Sequence, residues 1–124
     1  MNIKTAKKLL SGIRYSQGRN KISNRPVKDI EITVYDLIDM YNRQHGNCYW
    51  SGLPLDARYN EIKHHPFAIS PDRLDNSLAY TVTNVVLTRR MFNLGRMSYP
   101  NEEFKIVMEI LKHELMVEAC SSVG

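Results

Sequence analysis

The sequence predicts an α+β fold, a two-strand hairpin followed by a helix, with further α-helices on both sides. Three observations predict it. Val34, Leu37, Ile38 and Tyr41 recur at helical spacing. A short β-branched run, 85–88 (VVLT), follows a candidate strand and a long polar loop. A second periodic segment, from Phe104 to Leu115, closes the chain. The 124 residues fit one domain. With 43% hydrophobic and 24% charged residues, there is enough apolar surface for a core, which excludes wholesale disorder.

The first segment is set apart by charge. Residues 1–28 carry Lys4, Lys7, Lys8, Arg14, Arg19, Lys21, Arg25 and Lys28, and the first acid is Asp29. Of 17 Lys and Arg and 13 Asp and Glu, nine basic and all 13 acidic residues therefore fall after residue 28. The modest net charge of +4 divides into a +8 leader and a −4 remainder. A block of one sign repels itself and favours a polyanionic partner, nucleic acid foremost; its bland alternative is a solvated tail.

Residues 3–11 predict a short basic helix. Gly12 and Gly18 interrupt the adjoining stretch, and 14–28, with Asn20, Asn24 and Pro26, reads as an extended arm. The expected layout is an arm over 1–28, a domain over 29–118 and a flexible tail over 119–124. Residues 29–33 (DIEIT) alternate weakly and predict an extended segment. Thr33 then caps a helix, with Asp36 beside its positive end, and Gly46 is placed to stop it. Residues 47–60 are rich in turn formers. Residues 62–70 hold a candidate strand, whose Pro66 end is confined to an edge or bulge. A polar loop spans 71–84, a strand 85–88, and a helix from near Thr88 to about Met97. Ser98, Pro100 and Asn101 mark a break. Glu102 and Glu103 open the last helix, whose apolar face is Phe104, Val107, Met108, Leu111 and Leu115.

Several function classes drop out. No apolar run approaches the roughly 20 residues of a membrane span, so no membrane partner is expected. The start lacks the apolar stretch of a signal peptide, and the expected location is cytoplasmic. Cys48 and Cys120 are far apart and form no CxxC pair, so both are expected reduced. The histidines His45, His64, His65 and His113 show no metal-binding spacing. The methionines, Met91, Met97, Met108 and Met116 among them, read as packing.

Chemistry concentrates in the long loop. Asp72, Arg73, Asp75, Asn76 and Asn84 lie there, and Asn93 lies on the helix after it. In a hairpin-plus-helix unit, a carboxylate and an amide oxygen from two elements can share one divalent cation. A metal on a phosphate oxygen and its leaving oxygen is what phosphodiester hydrolysis needs. Arg73 adds a planar cation suited to phosphate.

The stretch SPDRLDNSLAYTVTNVVLTRRMFNLGR, 70–96, resembles the HNH (His-Me finger, ββα-metal) endonuclease family. It resembles in particular the subgroup with Asp-Arg in place of Asp-His. Asp72-Arg73-Leu74-Asp75, Tyr80, Asn84 and Asn93 carry the likeness, and Asn93 follows Asn84 at the family's usual interval. YNRQHGNCYWSGLPLD resembles the family's lead-in, and SYPNEEFKIVMEI its trailing helix, so the likeness covers roughly 33–112. It implies a ββα-metal fold and a DNA endonuclease dependent on Mg²⁺ or Mn²⁺. Asp72 and Asn93 would hold the metal, Arg73 would stand at the general-base position and touch the scissile phosphate, and Asn84 would fix the loop. Arg is too basic to take a proton readily, so His64 or His65 is a candidate base. Lys7, Lys8, Arg14, Arg19, Lys21 and Arg25 of the leader, with Arg89, Arg90 and Arg96 of the helix, would bind nucleic acid. The implied protein is a monomer or homodimer of the kind that phages and mobile elements carry.

Two departures bear on function. Many members bind a structural zinc through two CxxC pairs, whereas the matching positions here are Cys48, Ser51, Arg89 and Phe92. No structural zinc is therefore expected, with Trp50, Leu53 and Phe92 filling that volume. The missing base keeps open a catalytically inactive HNH-like protein that binds nucleic acid or regulates, and a protein-interaction domain beyond it. Residue by residue, blander readings also stand. Asp75 would fasten the loop, Arg73 would pair with Asp75 or Asp72, Tyr80 would anchor the loop, and Trp50 would be core.

Overall fold

The computed structural model describes residues 1–97 and 99–123, the side chains of 116–123 aside. Asn2 opens helix α1, Ile3–Ile22, by accepting a hydrogen bond from the backbone N–H of Thr5 at 2.8 Å. The helix passes straight through Gly12 and Gly18, where breaks are predicted. Each glycine costs about 1 kcal/mol against Ala. Burial of Ala6, Leu9, Leu10, Ile13 and Gln17 on one face outweighs that cost. The expected extended arm is thus helical to Ile22, and Leu9, Leu10 and Ile13 share one core with Leu37, Met40, Trp50 and Leu87.

Thr33 caps α2, Val34–Arg43, in a full capping box with Asp36. Gly46, at φ +71°, turns the chain against the Tyr41 ring, where an added Cβ would lie 2.9 Å from the hydroxyl oxygen. Asn60 at a 3₁₀ turn, Ala57–Glu61, bonds both backbone groups of Ile69 and starts the hairpin. Strand β1, Ile69–Arg73, pairs antiparallel with β2, Val85–Arg89, with Asp72 opposite Val86. The candidate strand at 62–70 is realised only from Ile69. Residues 62–68 are turns and bends, with His64 at φ 59°. Asp72 and Arg73 therefore belong to a strand, and Pro71 is tolerated because each strand of a two-stranded sheet is an edge.

Helix α3, Arg90–Arg96, packs across the hairpin, and α4, Asn101–Val123, ends the chain. The α+β expectation holds: a hairpin followed by a helix, flanked by helices. The extended segment at 29–33 pairs with the loop, Ile30 bridging Tyr80. Two packing expectations do not hold. Among the described residues of α4, Met108 is buried and Phe104 partly so, while Val107, Leu111 and Leu115 are exposed, Leu115 by 66%. The early turns reach the core, Phe104 meeting Trp50 edge-on at 5.0 Å. Leu53 is exposed, leaving Trp50 and the partly buried Phe92 to pack near Cys48. The expected tail is helical through Val123, and Gly124, Ser98 and the side chains of Met116 and Cys120 lie outside the described residues. Among the described residues no helix is long and apolar enough to cross a membrane.

Candidate site at the hairpin and the basic face of α1

Asp72 is the centre of the hairpin site, and it is 1% exposed. Its carboxylate accepts two hydrogen bonds from Arg96, from Nε at 3.2 Å and Nη2 at 2.5 Å, and one from Trp50 Nε1 at 2.9 Å. Arg96, 2% exposed, also donates to the Arg73 carbonyl at 2.6 Å and to Asn101 Oδ1 at 3.2 Å. Its guanidinium lies 5.5 Å from the Trp50 ring centroid. Such a fork-to-fork pair, desolvated and fully hydrogen-bonded, makes a closed unit. Arg96 is thus not on the surface where a phosphate contact was expected.

Asn93 donates from Nδ2 to Ser70 Oγ at 2.9 Å and to the Pro71 carbonyl at 3.3 Å. The helix thereby brings Asn93 against the strand that carries Asp72. A magnesium-like cation needs several oxygen ligands and usually keeps waters. Both Asp72 oxygens already face the guanidinium, and burial shuts out water. Among the described residues no three His, Cys, Asp or Glu side chains gather as ligands. The residues in this arrangement do not fit a divalent metal at Asp72.

The loop holds its other predicted residues in structural contacts. Arg73 donates from Nη1 to the carbonyls of Asn76 and Leu78, both at 3.0 Å, and covers the Tyr80 ring at 4.7 Å. Its ion-pair alternative is thus replaced by carbonyl and ring contacts. Asn84, buried, accepts from Asp75 N at 2.9 Å and donates to the carbonyls of Asp75 and Ala79 at 3.0 and 2.9 Å. That is loop fastening. Asp75 accepts from Ser77 N and Oγ, and those bonds hold its carboxyl below the usual range. Tyr80 anchors the loop by pairing its backbone with Asp29 and Glu31.

The candidate bases are placed elsewhere. His65 Nδ1 accepts from Phe67 N at 3.0 Å, and its ring lies 4.4 Å from Tyr59. His64 is exposed and its carbonyl accepts from Arg90 at 3.4 Å. The partners of Asp72 are Arg96 and Trp50, neither histidine among them. Arg89 donates to the Pro54 carbonyl at 3.0 Å and stacks 4.5 Å over Phe67. Cys48 is buried with Thr88 Oγ1 at 3.0 Å from its sulfur. Burial acts to raise its thiol, but hydrogen bonds from Ser51, Thr88 and the Arg89 N–H outweigh this and hold it below the usual value.

The predicted residues Lys7, Lys8, Arg14, Arg19 and Lys21 stand together on α1. With Lys4 they are all exposed, outside the buried face, and the helix carries no acid. Lys8 Nζ reaches the Asn60 carbonyl at 2.6 Å, and Arg19 lies 5.9 Å from the Tyr15 ring. Arg25 lies past the helix, exposed.

Sequence reasoning missed Arg96 and Gln44 as structural centres. Phe92, four residues before Arg96, packs on the core and put Arg96 on the inward face, which is the signal that was available. Gln44 bonds both backbone groups of Leu87, at 2.8 and 2.9 Å; it stands in the stretch that resembles the family's lead-in, but nothing in the sequence points to Leu87 as its partner. Compared with protein-family models, curated proteins and solved structures, the chain matches none.

Proposed function

We propose that the chain binds nucleic acid through the basic face of α1, with the hairpin-plus-helix unit as its scaffold. One observation carries this reading: α1 separates six exposed cations from a buried apolar face and has no acid to neutralise them. Such a surface attracts the phosphate backbone and releases its counterions. The test is fluorescence anisotropy of a labelled 20-base-pair DNA duplex across a salt series. With six phosphate contacts, affinity is expected to fall about 10³-fold between 50 and 200 mM salt. A chain that leaves the duplex free even at the lowest salt overturns the proposal.

A second reading is the metal-dependent DNA endonuclease that the sequence resembles. The observation in its favour is that Asn93 on α3 lies against the strand bearing Asp72, bonded to Ser70 and Pro71. It requires Asp72 to leave Arg96 and Trp50. Incubation with supercoiled plasmid in Mg²⁺, Mn²⁺ or EDTA decides it. Metal-dependent nicking that Asp72→Ala and Asn93→Ala abolish supports the enzyme, and binding without nicking under every metal removes it.

A further inference from the structure

The exposed side of α1 is more ordered than a generic positive patch. At 3.6 residues per turn, Lys7, Arg14 and Lys21 fall in one row along the helix, rising about 21 Å. Lys4, Lys8 and Arg19 fall in a second row, about 110° around. Ser11 and Gly18 lie on the line midway between the rows; Tyr15, 70% exposed, falls within the second row, and Ile22, 86% exposed, ends the helix close to the line. Cations therefore flank a line that is small at Ser11 and Gly18.

Gly18 leaves the centre of that line open. A Cβ built there meets nothing within 4 Å, and its φ lies in the ordinary helical range. Nothing inside the chain needs a glycine at this point, yet it costs the helix about 1 kcal/mol. Gly12 and Gly95 are equally open; what sets Gly18 apart is its place on the line between the two cationic rows, where it leaves room for a close approach from outside.

Resting on the reading that this face binds nucleic acid, we infer that α1 enters the major groove of duplex DNA, its two cationic rows reaching the phosphates of opposite strands and its Ser11–Gly18 line facing the base edges. The dimensions agree: the groove is about 12 Å wide and a helix with its side chains about 10–12 Å. A 20-residue helix spans about 30 Å, close to one turn of duplex. The A-form RNA major groove is too deep and narrow for this mode, so double-stranded RNA is the discriminating competitor.

The experiment uses the full chain and one duplex in DNA and RNA form. Dimethyl sulfate footprinting is expected to show protection of guanine N7, a major-groove atom. Lys7→Ala/Arg14→Ala/Lys21→Ala is expected to flatten the log–log salt slope by about 2.7. Gly18→Trp places a better helix former in open space, so its melting temperature should not fall. It is expected to weaken DNA binding at least tenfold by lifting the helix off the groove floor. Wild-type affinity in Gly18→Trp, unprotected N7, or equal affinity for double-stranded RNA each overturns the groove assignment. If wild type binds DNA and the triple variant binds equally, α1 is not the surface. If wild type does not bind at low salt, the broader reading itself falls.

Discussion

Asp72 and Arg96 form the most consequential pair in the molecule, because burial gives neither charge an alternative partner in water. Removing one member of such a pair strands the other, at a cost of about 3–5 kcal/mol. Arg96→Ala is expected to lower urea-unfolding stability by that amount. The wild-type melting temperature is expected to stay the same in Mg²⁺, Mn²⁺ or EDTA. A metal-induced rise that vanishes in Asp72→Asn would show the carboxylate to be a ligand instead. Asp75 makes a different acid-side prediction. Ser77 lowers its folded pKa, so its contribution is present above the unfolded value and is lost as pH falls through the lowered one. Asp75→Asn should flatten the stability–pH profile below about pH 4, where carboxylates titrate. An unchanged acid limb would show the Ser77 bonds to be silent. Asn84 was legible at this scale, since its place beside a strand and after a polar loop already suits a fastener. The Asp72–Arg96 pair was not. Its members are 24 residues apart, and a lone Asp and a lone Arg carry no sign of burial in the sequence.

Among the elements, α1 shows how tertiary packing overrides local signals. Gly12 and Gly18 are proper breakers by propensity, yet Leu9, Leu10, Ile13 and Gln17 bury one face that runs across Gly12 and up to Gly18. Gly12 offers a clean measure of the cost, because an added Cβ meets nothing within 4 Å. Gly12→Ala is expected to stabilise the chain by about 1 kcal/mol, read from the midpoint of urea unfolding. A stability loss there would mean that the glycine is needed inside the fold. Helix α2 was legible almost to the residue, because its capping box and apolar spacing agree. Strand β1 was legible only as a neighbourhood. Pro71 and the polar residues around it read as loop, and their strand pairing comes from β2, which sequence spacing does not reveal. On α4 the apolar period is present, and among the described residues Val107, Leu111 and Leu115 of that face are uncovered. Periodicity says which residues share a face, and says nothing of whether another element covers it.

The whole molecule joins two parts that charge alone separates. Residues 1–28 hold +8 and the rest −4, which reads as an appendage on a domain. The structure places Ala6, Leu9, Leu10 and Ile13 in the shared core, so the basic segment is also a wall of the fold. Burying three large aliphatic side chains contributes about 5–9 kcal/mol, at roughly 1.5–3 kcal/mol each. That is comparable with the 5–15 kcal/mol total stability of an ordinary domain. A chain of residues 29–124 is therefore expected to lose cooperative unfolding in urea and to give collapsed, poorly dispersed amide resonances. Lys7→Ala/Arg14→Ala/Lys21→Ala touches only the exposed face and is expected to keep the wild-type midpoint. The two variants separate what composition merges. The first removes charge and core together, and the second removes charge alone. A sharp transition at the wild-type midpoint for 29–124 would return α1 to the status of an arm. A triple variant that unfolds early would show that the cations serve the fold as well as its surface.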